Sequence, residues 1–182
     1  LAGENASFER ALLARQVARL ARRLAGARGL QRLLDDRACG FGVLLEEDGH
    51  RAGALRLLDQ LRARDRVRIL AIGGGTQVLA GPDMPREQAR QALTRVTLWG
   101  SSPIGDTVAE AVSAVATDPG RRAVVLLSDG VEREAQRRRH DVLEQVRQSG
   151  VLVYPIAIAR TTSPLLAELA ALSGGRVLQA RD

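Results

Sequence analysis

The stretch Arg121–Glu132, with the sequence RRAVVLLSDGVE, decides the fold class. Its centre, Ala123–Leu127, is an uninterrupted apolar run, which is typical of a strand buried on both faces of a parallel sheet. The run ends at Ser128-Asp129-Gly130, a turn that carries an acidic side chain. The sequence therefore predicts a central strand that delivers Asp129 to one edge of a sheet.

Predicted strands and helices alternate on both sides of this stretch, which requires crossover connections. We therefore expect an α/β fold with three layers: a mostly parallel central sheet with helices on both faces. Gly73-Gly74-Gly75 joins two strands and has no lysine, so it indicates a tight hairpin turn and not a phosphate-binding loop. The predicted strands are 41–47, 66–72, 76–80, 123–127, 151–158 and 176–179, and the predicted helices are 51–62, 86–95, 104–116, 134–148 and 164–172.

The N-terminal region has a different pattern. Apolar residues recur at helical spacing over residues 7–25, and most arginines of this region lie off that stripe. We expect residues 1–36 to form a helical extension and residues 37–182 to form the main domain.

Composition excludes several classes of protein. The chain has 182 residues, a single cysteine and four aromatic residues. One cysteine permits no internal disulfide and no Cys-rich zinc module, and so few aromatic side chains cannot build a base-stacking platform for nucleic acid. No apolar run approaches the roughly 20 residues that span a bilayer.

The net charge of +6 first suggests a polyanion binder, since all 27 basic residues are arginine. However, residues 1–40 carry eight arginines and four acidic residues, and most of the remaining excess lies in residues 121–182. These arginines are interrupted by Ala, Leu and Glu, as on solvated helix faces. An arginine-driven binder of nucleic acid or another polyanion stays as an alternative.

Five segments in order resemble a von Willebrand factor type A (vWA) domain of the bacterial type. The stretch of sequence from the first segment to the last covers about two thirds of the chain. They cover two strands, a loop with its helix, the Asp-Gly strand, a helix with its strand, and the last helix with its Gly-Gly pair. These segments are Asp65–Gly81, Leu98–Val112, Arg121–Glu132, Val142–Ala159 and Leu165–Ala180.

The resemblance implies a metal-ion-dependent adhesion site at the carboxyl ends of the strands. In this family, the first loop supplies Asp-x-Ser-x-Ser, the second a Thr and the third an Asp, around Mg²⁺ or Mn²⁺. Here Asp129 matches the third loop, and Ser102 stands where the family has Thr. The first loop departs, because the positions after the first strand offer only Glu46 and Asp48. An alternative register, with the motif at 4–7 before helix 7–25, also breaks the pattern, so the resemblance implies a degenerate metal site.

The resemblance further implies a non-catalytic protein–protein interaction module whose metal dependence is weakened or lost. Any cofactor would be Mg²⁺ or Mn²⁺, and the partner would be a protein that presents an acidic side chain. A metal-dependent hydrolase using Glu46, Asp48 and Asp129 is a further alternative. A bacterial cell-envelope or secreted location is favoured, and any targeting sequence would lie upstream of Leu1. The residues expected to contact the partner are His50, Trp99, Ser101, Arg137 and Arg138.

Overall fold

A computed structural model describes residues 39–45, 50–97, 100–157 and 163–179. Strands and helices alternate along the chain, as the sequence predicts. The strands are β1 (Cys39–Leu45), β2 (Arg66–Ile72), β3 (Thr76–Ala80), β4 (Arg121–Ser128), β5 (Leu152–Ala157) and β6 (Leu178–Gln179). The helices are α1 (Arg51–Gln60), α2 (Arg86–Arg95), α3 (Ile104–Ala116), α4 (Arg139–Ser149) and α5 (Pro164–Ser173).

The described strands form one six-stranded sheet in the order β3-β2-β1-β4-β5-β6. All neighbouring pairs are parallel except β2 and β3, which form the expected antiparallel hairpin. The carboxyl ends of β1, β2, β4 and β5 therefore lie at the same edge. β2 follows β1 in sequence and pairs with it on one side, whereas β4 pairs with β1 on the other side. Open α/β sheets bind ligands at the point where the strand order reverses in this way.

Helices cover both faces of the sheet, which confirms the three-layer α/β fold. On β1, Phe41, Val43 and Leu45 pack into the core under α1 and α2, while Leu44 packs into the core under α3, α4 and α5. Each of these four side chains is at most 1% exposed. Burial of one such side chain contributes about 1.5–3 kcal/mol, so β1 and β4 are firmly held, and the loops at their ends start from rigid positions.

The predicted bounds of β3, α2 and α3 agree with the structure, whereas helix 134–148 begins later than predicted, at Arg139. Residues 129–138 form a loop instead. The last predicted strand shortens to Leu178–Gln179. The predicted extension 1–36 lies outside the described residues. Within the described part, no helix combines the length and apolar character needed to cross a bilayer.

Candidate functional site

Two turns at the carboxyl edge of the sheet pack backbone against backbone. The amide of Gly74 donates to the carbonyl oxygen of Ser101 at 3.0 Å. Gly100 has φ of +105°, and a Cβ there would lie 2.6 Å from the Gly74 nitrogen. Only glycine combines this backbone angle with this close approach. The β2–β3 turn therefore fixes the loop that leads into α3.

The same loop is fixed at its other end. The carbonyl oxygen of Ser102 accepts the amides of Ile104 at 2.8 Å and Arg133 at 2.9 Å. The hydroxyls of Thr76 and Thr107 lie 3.0 Å apart, and Thr107 also donates to the carbonyl of Pro103. Ser102, the predicted second-loop ligand, is only 6% exposed as a result.

The loop after β4 holds Asp129 in a tight turn. One carboxylate oxygen of Asp129 accepts the amide of Val131 at 2.8 Å, and the Ser128 hydroxyl accepts the amide of Gly130 at 2.9 Å. Gly130 has φ of +79°, and a Cβ there would lie 2.4 Å from the Cβ of Ser163. Asp129 is half-buried, and one of its two oxygens is used by the turn.

Residues 131–138, which we call the strap, run from this turn across the amino-terminal end of α3. A Glu132 carboxylate oxygen accepts the amide of Gly105 at 2.7 Å. In return, the Asp106 carboxylate accepts the amides of Gln136 at 2.7 Å and Arg137 at 2.9 Å. A carboxylate is favourable at a helix N-terminus because it satisfies free amides and complements the helix dipole.

Sequence reasoning missed both of these carboxylates. The sequence did contain a sign of the role of Asp106, because an acidic residue in the first turn of a predicted helix favours contacts with backbone amides near the helix N-terminus. Glu132 had none, because its partner lies 27 residues away in sequence.

His50 follows β1, and the structure corrects the expectation that it contacts a partner. Its side chain is 1% exposed. Burial lowers the pKa of the imidazole to about 4, while a hydrogen bond to the backbone of Leu127 acts in the opposite direction. The imidazole is therefore neutral at pH 7, and it is buried against the backbone of Leu127 in β4 instead of facing a partner.

Arg137 and Arg138 lie at the end of the strap and are exposed. The Arg138 guanidinium pairs with Asp141 at 3.0 Å, and that of Arg137 lies 3.3 Å from the side-chain oxygen of Gln145. Exposed pairs of this kind contribute about 0–1 kcal/mol, so a partner can displace them at low cost. Glu46, Asp48 and Trp99, which the sequence also singles out, lie outside the described residues.

The described donors do not by themselves fit a divalent cation. Mg²⁺ requires near-octahedral oxygen ligands. In the described ranges, no group of three or more His, Cys, Asp or Glu side chains is placed to hold a metal ion. Ser102 contributes one hydroxyl and Asp129 one oxygen that is not engaged in its turn. Glu46 and Asp48, the other ligands that the sequence suggests, lie outside the described residues.

Comparison with solved structures identifies the fold. BatB from Bacteroides thetaiotaomicron is 13% identical with a TM-score of 0.59, and the match covers 79% of this chain and 90% of that one. The SpRpn10 VWA domain is 12% identical with a TM-score of 0.60, covering 78% of this chain and 87% of that one. A mussel byssus protein, proximal thread matrix protein 1 with a zinc-occupied MIDAS motif, is 15% identical with a TM-score of 0.63. The match covers 79% of this chain but only 41% of the mussel protein.

No protein-family model matches the sequence, and the comparison with curated proteins gave no match either. The structural matches agree with the sequence resemblance and the strand order in showing a vWA-type fold.

Proposed function

We propose that this chain is a non-catalytic protein recognition module that binds its partner at the loop face, with metal dependence weakened or lost. The loop face consists of residues 73–76, 100–103 and 129–138. This proposal rests on the interlocking of these loops by the Gly74–Ser101, Ser102–Arg133 and Glu132–Gly105 contacts. The Gly74–Ser101 contact involves no strap residue and preorganises residues 73–76 and 100–103, and a preorganised surface binds with a smaller entropic cost than independent loops do.

Two arginines of the strap support a partner with acidic side chains. Arg133 and Arg137 are exposed, and neither forms an ion pair with the described residues. Val131, in the same strap, is 45% exposed, so this segment also presents an apolar side chain to solvent. An exposed arginine adjacent to apolar surface is typical of residues that dominate binding energy at protein interfaces.

The roles of the polar groups support a binding function over a hydrolytic one. The Ser128 hydroxyl and one Asp129 oxygen hold the turn after β4. His50 is buried and bonded to the Leu127 backbone. A hydrolase would need such groups to face a substrate, whereas here the Ser128 hydroxyl, one Asp129 oxygen and the His50 imidazole are engaged by the protein backbone.

The experiment is site-specific photocrosslinking in cells that produce the protein. A crosslinking amino acid replaces Ser101 on the loop face or, as a matched control, Gln91 on the exposed side of α2. We expect a discrete adduct from position 101 that Arg133→Glu reduces at least tenfold, and none from position 91. Equal labelling from both positions would refute recognition at the loop face.

A polyanion binder would respond differently to arginine substitutions such as Arg133→Glu. Its binding would fall steeply as salt rises, and arginines on every face would contribute. Loss confined to loop-face variants therefore separates the two functions.

A further inference from the structure

The strap has a mode of attachment that differs from the rest of the domain. Its contacts with α3 and with the loop before α3 are the polar ones described above: Glu132 to Gly105, Arg133 to Ser102, and Asp106 to the amides of Gln136 and Arg137. No strap residue belongs to either described apolar core. All strap residues except Glu132 are exposed.

Segments held by few polar contacts and little apolar burial open at a lower free energy than core strands do. Glu134 adds to this tendency, because it is a non-glycine residue with φ of +57°, a strained backbone conformation. The conformation persists only while the contacts on either side of Glu134 hold the strap in place.

The start of α3 lies close to the Glu132 side chain at Gly105. A Cβ there would lie 2.7 Å from the Glu132 carboxylate oxygen, closer than real Cβ contacts allow. The strap and the start of α3 thus meet at the Glu132 and Asp106 carboxylates. Ser102, two residues before α3, is 6% exposed, and its carbonyl oxygen accepts the amide of Arg133 in the strap.

We propose that the strap is a gate over Ser102. In the closed state, Glu132 and Asp106 hold the strap against α3, and the Ser102 side chain is inaccessible to a partner. Open, the strap releases the Ser102 backbone contact and exposes this side chain on the loop face, while the sheet and its cores stay folded. Use of the gate in partner recognition rests on the proposed function, but its opening requires no partner.

The test measures how fast a thiol at position 102 reacts with a maleimide. Ser102→Cys is made in a Cys39→Ser background, alone and combined with Glu132→Gln, which weakens the hydrogen bond from Gly105 to residue 132. Glu87→Gln, an exposed acidic residue on α2, is the matched control. We expect Glu132→Gln to raise the reaction rate at least tenfold, with the control unchanged and the thermal unfolding midpoint within a few degrees of the parent. Equal rates in all three proteins would overturn the gate.

Amide hydrogen exchange covers the case in which Ser102→Cys does not fold. With Ser102 intact, we expect Glu132→Gln to speed exchange at Gly105 and Arg133 at least tenfold while the amides of β4 keep their rates. Acceleration of all these amides together would mean global unfolding and would also overturn the gate. Neither measurement involves a partner, so a failure here is distinct from a failure of the crosslinking experiment.

Discussion

Acidification should destabilise the domain through His50. The buried imidazole has a pKa of about 4 in the folded chain, against 6.5 for an unperturbed histidine. Between these two values, the unfolded chain binds a proton that the folded chain does not. Stability conferred by the neutral imidazole is therefore complete above pH 6.5 and falls as the pH is lowered towards 4.

The magnitude follows from the pKa difference. One unit corresponds to about 1.36 kcal/mol, so lowering the pH from 7.5 to 5 should cost about 2 kcal/mol through this one group. For a domain of this size, with a total stability of ~5–15 kcal/mol, such a loss is readily measured.

The assay is urea denaturation of the parent and of His50→Gln at pH 7.5 and pH 5. Glutamine stays neutral at both values, so the stability difference between the two proteins should move by about 2 kcal/mol in favour of the variant at pH 5. His140→Gln is the matched control, because the His140 side chain is 89% exposed. We expect the control to change by less than about 0.5 kcal/mol. A parent–variant difference that is the same at both pH values would refute the buried, neutral assignment of His50.

Three further predictions concern the turn after β4, the buried ion pair and the metal. Gly130→Ala would place a Cβ on a residue with φ of +79° and against the Cβ of Ser163, so the free energy of unfolding should fall by about 2–4 kcal/mol in a denaturation experiment. Gly81→Ala, where a Cβ has open space, should leave this free energy nearly unchanged. Arg68→Ala should cost about 3 kcal/mol in the same assay because it removes a partner of the buried Asp118 carboxylate, and an unchanged midpoint would contradict this. Calorimetric titration with Mg²⁺ or Mn²⁺ should give no saturable heat, and a saturable heat that Asp129→Asn abolishes would show a functional metal site instead.

The sequence predicts the central part of the fold well because the burial of these strands and helices is visible in the local spacing of apolar residues. Ala123–Leu127 is apolar at every position, which only a strand covered on both faces requires. The bounds of α3, Ile104–Ala116, were also predicted, since Pro103 precedes an apolar stripe at helical spacing.

The candidate site was predicted less completely because its geometry depends on contacts between distant residues. Residues 134–138 continue the helical pattern of α4, yet the Asp106 carboxylate, about 30 positions earlier, holds the amides of Gln136 and Arg137 in a loop. Local sequence also could not distinguish an exposed His50 from a buried one, since its burial depends on how β4 lies beside β1.

Hydrogen exchange of the chain with and without its crosslinked partner, once that partner is purified, tests recognition at the loop face most directly. We predict slower exchange confined to residues 100–106 and 129–138, with the amides of α2 and β3 unchanged. Slower exchange centred on α2 and β3, with the loop face unaffected, would contradict it.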